Sequence, residues 1–129
     1  MRSILAAVLC LIALALPAQA AKCEMTTGGF LYRANASQAK VFVASARAVP
    51  IILAKLTEVG ASKGLPPVKG DTIYVVFTKS EGEPQAGLFV FNAGCIVKDA
   101  VVILPASQMV KAMALLGLQE SDFAEQSGT

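Results

Sequence analysis

The chain has 129 residues, with eleven basic and nine acidic side chains and no histidine. The basic residues are scattered rather than clustered along one stripe, so we expect no nucleic-acid binding. The absence of histidine excludes Ser-His and Cys-His nucleophile pairs and histidine-based metal sites.

The first twenty residues have the pattern of a secretory signal peptide. Arg2 precedes a continuous apolar run over residues 4–16, and Ala18-Gln19-Ala20 supplies a small-residue cleavage site. Because this run is shorter than the roughly 20 residues of a membrane-spanning helix, we expect cleavage after Ala20. The predicted organisation is a signal peptide over residues 1–20, one domain over 21–118 and a flexible C-terminal tail over 119–129. The protein is then periplasmic or secreted, and membrane association is not expected after cleavage.

Cleavage would divide the three cysteines. Cys10 would leave with the leader, and Cys23 and Cys95 would remain as a pair in an oxidising compartment. We therefore predict a Cys23–Cys95 disulfide. Two other readings stay open, namely thiols that are free or joined to another chain, and a redox couple. Redox couples usually have C-x-x-C spacing, which these two cysteines lack.

The strongest local pattern predicts a long helix over residues 36–60. Asn35 suits the N-cap position, and Gln38 follows it three residues later as in a capping box. Apolar side chains then recur at helical spacing at Phe42, Ala46, Val49, Leu53 and Leu56. Pro50 lies inside this stretch and predicts either a kink near residues 47–50 or two shorter helices. The apolar face is expected to pack on a sheet, with a membrane surface or a partner protein as the alternative.

Three runs rich in β-branched and aromatic residues follow, with short turns between them. They cover residues 72–79, 86–91 and 95–104, and Gly94 can supply a positive φ in the second turn. Short connections favour an antiparallel meander. The runs are apolar at neighbouring positions, so both faces of this sheet need a cover. A final helix from Pro105 to Leu116 is expected to cover the second face, with self-association as the alternative.

Few features of this sequence indicate catalysis or the binding of a cofactor or metal. Glycine-rich phosphate motifs and calcium-loop spacing are absent. Glu81 and Glu83 are expected to be solvated in a turn, and Lys98 and Asp99 to form an edge charge or a β-bulge rather than an acid-base pair. Met109 and Met113 are spaced for the core face of a helix. We predict no catalytic, cofactor-binding or metal-binding residues.

These observations together predict an α+β protein of one small domain, in the order α-β-β-β-α. An antiparallel β-meander packs against a long N-terminal helix, after a cleaved signal peptide. The expected function is that of a non-enzymatic binding module for a protein partner or an apolar ligand. A membrane-associated accessory protein, or an enzyme that uses lysine, serine or carboxylate chemistry, is the alternative.

Overall fold

The computed structural model describes residues 23–78 and 81–126, so the predicted signal peptide over residues 1–20 lies outside the described residues. This part of the chain forms three α-helices and a six-stranded antiparallel sheet, which confirms the α+β class. The elements in chain order are α1 Thr27–Ala36, β1 Lys40–Ala44, α2 Ala48–Ala61, β2 Thr72–Thr78, β3 Gln85–Asn92, β4 Cys95–Ile96, β5 Val102–Pro105, α3 Ala106–Leu115 and β6 Phe123–Glu125.

The strands follow the order β4-β3-β2-β1-β6, and β5 pairs with β3 on the same side as β4. Val75 in the centre of β2 pairs with Leu88 on one side and with Phe42 on the other. The predicted antiparallel pairing of the three apolar runs is therefore confirmed. The third run is divided, because a 3-10 turn over Lys98–Ala100 separates β4 from β5. Lys98 and Asp99 thus lie in this turn and not in a strand.

The predicted long helix over 36–60 is wrong in its first half. Residues 40–44 form β1, and α2 begins only at Ala48. Val41, Phe42 and Val43 favour a strand because β-branched and aromatic side chains fit a pleated surface. Their alternation places Val41 and Val43 on one face of the sheet and Phe42 on the other. The predicted break near residues 47–50 coincides with the start of α2, where Pro50 is tolerated because first-turn N–H groups have no helical acceptor.

Helix α1 occupies a stretch that the sequence patterns left as a loop or a brief strand. Thr26 caps it, since its Oγ1 accepts a hydrogen bond from the Gly29 backbone N–H at 3.1 Å. Phe30 and Ala34 lie one turn apart and are buried together against the sheet. Asn35, predicted to start a helix, lies instead in the last turn of α1.

Each face of the sheet has its own core. One core joins Phe30 of α1 to Tyr74, Val76 and Phe91 of the central strands. The other joins Ile52 of α2 and Met109 of α3 to the opposite sides of the same strands, at Ile73, Val75, Leu88 and Val90. The expectation that the C-terminal helix covers the second face is therefore wrong. Helices α2 and α3 share one face, and α1 covers the other.

Residues 119–126 differ from the predicted flexible tail over residues 119–129, whose last three residues lie outside the described residues. Residues 123–125 form β6, which pairs with β1 through Phe123 and Ala44 at one end and Glu125 and Phe42 at the other. The Gln126 N–H donates to the Val41 carbonyl at 2.7 Å and extends this pairing. The sequence offers only three strand residues here, too few to form a recognisable pattern.

A disulfide joins Cys23 to Cys95 and fastens the start of α1 to the β3–β4 hairpin. Backbone hydrogen bonds lie beside it, from Ile96 N–H to the Met25 carbonyl and from Thr27 N–H to the Gly94 carbonyl, each 3.0 Å long. The two cysteines are 72 residues apart. A cross-link over so long a loop removes much conformational entropy from the unfolded chain.

We expect the double variant Cys23→Ala/Cys95→Ala to lose about 4 kcal/mol of unfolding free energy, because the unfolded chain regains that entropy. Urea denaturation followed by circular dichroism measures the loss. A reductant should destabilise the parent protein by a similar amount and leave the double variant unaffected. Equal stability of the parent and the double variant would contradict the prediction.

The β3–β4 hairpin turns through Ala93 and Gly94, at φ 51° and 81°. Two successive positive values define a type I′ turn, and the positive φ predicted for Gly94 is confirmed. The side chain of Asp71 supports this turn, because its Oδ2 accepts from the Ala93 N–H at 3.0 Å. That backbone hydrogen bond, followed by the one from the Thr72 hydroxyl, lowers the pKa of the exposed Asp71 carboxyl.

A carboxyl group whose pKa is lowered by folding stabilises the folded state above its unfolded pKa, about 3.9 for aspartate. That contribution is lost as the pH falls through the lower folded pKa. We therefore expect Asp71→Asn to lower Tm at pH 7, and this deficit to disappear as the solution is acidified below about pH 3.9. Asp99→Asn, at an exposed carboxylate, controls for net charge and should change Tm less. A deficit that persists undiminished in strong acid would show that the Asp71 charge is not its cause.

Candidate ligand-binding site

An apolar cavity of about 580 Å³ lies on the sheet face that α2 and α3 cover. Its floor is the sheet itself, where Phe42, Val75 and Phe77 of the paired strands β1 and β2 lie side by side with Phe123 of β6. The rings of Phe42 and Phe77 meet edge to face with centroids 5.6 Å apart. This is a favoured arrangement for aromatic pairs and gives the floor a defined shape.

With the floor counted as the first wall of the cavity, helix α3 forms the second wall. Four of its residues, at the spacing of one helical face, line the cavity: Met109, Val110, Met113 and Ala114. Met109 is 1% exposed and belongs to the core, as its spacing predicted, whereas Val110 is 59% exposed. The Met109 side of the helix therefore packs on the sheet, and the Val110 side is exposed to solvent. The space beneath the helix stays open toward β1 and β6.

The third wall is the connection from α3 to β6. Leu118 is buried there, while Gln119 and Glu120 are exposed at the rim. Glu120 is the one charged side chain among the described residues that line the cavity, and Gln119 is the other polar one. An apolar interior with few polar groups at its rim is the usual composition of a small-molecule site.

Asp122 holds this third wall in place. It is 7% exposed, and its carboxylate accepts hydrogen bonds from the Ser45 hydroxyl at 3.2 Å, from Arg47 Nη1 at 3.4 Å and from the Gln119 backbone N–H at 2.8 Å. The Asp122 carbonyl also accepts from the Ser45 N–H at 2.7 Å. Arg47 Nη2 reaches the Gly117 carbonyl at 3.3 Å. The segment that carries Glu120 is thus fastened at both ends to the junction between β1 and α2.

We expect Asp122→Ala to lower the unfolding free energy by about 1–3 kcal/mol, because it leaves partly buried donors without their acceptor. Arg47→Met should cost less than about 1 kcal/mol, since the Arg47 side chain is 57% exposed and exposed ion pairs contribute little. Urea denaturation of both variants checks the prediction. If both variants lost the same unfolding free energy, the ion pair with Arg47, and not the hydrogen bonds from Ser45 and Gln119, would account for most of the stabilisation by Asp122.

The residues singled out by sequence lie in different places. Cys23 and Cys95 adjoin β4, at the opposite edge of the sheet from β6 and the cavity. Glu81 and Glu83 lie exposed between β2 and β3, and Lys98 pairs with Glu24 at 3.3 Å beside the disulfide. Among the residues that the sequence analysis considered for chemistry, only the helix-face methionines Met109 and Met113 line the cavity.

The aromatic floor was not predicted because Phe42 was assigned to a helix face. Its alternation with Val41 and Val43 over residues 40–44 is the signal that could have found it. No pattern within the chain links Phe42 to Phe77 or Phe123, because they meet only through strand pairing.

Residues 23–78 and 81–126 contain no group of three or more His, Cys, Asp or Glu side chains arranged to hold a metal ion. Within these same ranges, no helix combines the length and the apolar character needed to cross a membrane.

Comparisons with protein-family models, with curated proteins and with solved structures find no match to this chain.

Proposed function

We propose that this chain is an exported binding protein that holds a small apolar molecule in the cavity between α3 and the sheet. The observation that carries the proposal is the composition of the cavity, whose lining is apolar at nine of eleven residues. At about 580 Å³ the cavity falls within the size range of small-molecule sites, which is roughly 300–1,000 Å³.

The character of the walls supports a ligand held by shape and apolar contact. The floor is made of phenylalanine rings, whose sheet positions are set by strand pairing. The facing wall carries Met109 and Met113, whose flexible and polarizable side chains adapt to ligands of irregular outline. A floor set by strand pairing beneath an adaptable wall suits an apolar ligand of irregular outline.

Export is supported by the disulfide, because such cross-links persist in oxidising compartments. Residues 1–20 also support export, because they combine a basic start, an apolar run and a small-residue cleavage site.

Ala114→Phe tests the site, because Ala114 lines the cavity and is exposed at its edge. A phenylalanine there would fill part of the space without disturbing the buried core. We expect the parent protein to bind the neutral apolar dye Nile red at one molecule per chain, and Ala114→Phe to weaken this binding at least about tenfold, the equivalent of 1.4 kcal/mol. Fluorescence titration measures both affinities.

Ala54→Phe is the matched control, since Ala54 is an exposed alanine on α2 and does not line the cavity. It should bind the dye like the parent. Equal weakening in both variants, or absence of dye binding by the parent, would reject the proposal. Concentration-dependent self-association that excludes the dye would assign the cavity to a second copy of the chain instead.

A further inference from the structure

Building on the proposed function, we infer that the ligand is a single-chain amphiphile whose head group is cationic. The tail would lie on the Phe42–Phe77 floor, and the head would lie at the rim beside Glu120. The inference rests on the charges that surround an otherwise apolar cavity.

Glu120 is placed to receive such a head group. It lines the cavity, it is exposed, and among residues 23–78 and 81–126 no ion pair includes it. The nearby cation Arg47 does not neutralise it, because Arg47 is bound to the Asp122 carboxylate and to the Gly117 carbonyl. The carboxylate of Glu120 thus faces solvent at the point where a ligand would leave the apolar interior.

Two further charges lie on the same face of the sheet. Glu125 pairs with Phe42, and Lys40 pairs with Phe77, so that both project on the cavity side of their strands and both are exposed. With Glu120 these positions hold two carboxylates and one ammonium group, and the charges of the paired Arg47 and Asp122 cancel. The excess is negative, which favours a cationic head over an anionic one.

Three amphiphiles with the same tail test the inference at pH 7: dodecylammonium, dodecanol and dodecanoate. The two ionic ones are kept below their micelle concentrations, and dodecanol is kept below its solubility limit. Displacement of Nile red gives their affinities. We expect dodecylammonium to bind about two- to fivefold more tightly than dodecanol, and dodecanoate to bind more weakly than dodecanol by a similar factor, as for a solvent-exposed ion pair.

In Glu120→Gln the preference for dodecylammonium over dodecanol, taken as the ratio of the two affinities, should fall by about two- to fivefold. Glu24→Gln is the matched control, because Glu24 is an exposed carboxylate that pairs with Lys98 beside β4, at the opposite sheet edge. It should keep the parent's preference. Raising the ionic strength of the parent protein should reduce the same preference and needs no variant.

The outcomes separate the two proposals. If the parent protein binds no Nile red, the proposed function fails and the head-group inference fails with it. If the dye binds and none of the three amphiphiles displaces it, the proposed function stands and the amphiphile inference is rejected. If dodecanol binds but dodecanoate binds as tightly as dodecylammonium, the cavity remains a binding site and the cationic head is rejected. An unchanged preference in Glu120→Gln overturns the assignment of the head group to Glu120.

Discussion

Strands β2 and β3 bury apolar side chains on both of their faces, and this constraint organises the molecule. An antiparallel sheet commonly leaves one face in water, but here Tyr74 and Val75, adjacent in β2, are both buried on opposite sides. Each face therefore needs its own cover. Helices α2 and α3 supply one, and α1 supplies the other with Phe30 at the centre of an aromatic cluster.

The cover made by α1 depends on the cross-link beside it. A ten-residue helix that contains two adjacent glycines has little stability of its own. Its position comes from the burial of Phe30 and from the attachment of residues 23–27 to the β3–β4 hairpin by the disulfide and two backbone hydrogen bonds. The disulfide thus supports the fold directly, by holding in place the helix that covers one face of the sheet.

On the opposite face the cover is incomplete, and the proposed function arises there. Helix α3 packs against β3 and β5 but leaves the floor near β1 and β6 open, so that Phe42, Phe77 and Phe123 line a cavity. The Asp122 carboxylate fastens the segment that closes its third side. The hydrogen bonds of Asp122 therefore stabilise the last strand and also shape the rim where Glu120 lies. The proposed cationic amphiphile would use the apolar surface that the helices leave uncovered.

The sequence by itself determined the class of the fold, the central strands, the C-terminal helix and the positive φ of Gly94, because these depend on local periodicity and on turn chemistry. It misassigned residues 40–44, where helical and strand periodicity overlap at Phe42. Tertiary structure alone decided that β6 extends the sheet, that α1 covers the second face, and that Phe42, Phe77 and Phe123 form one floor. Those contacts join residues distant along the chain, and their free energy comes from burial in the assembled sheet, which no local pattern records.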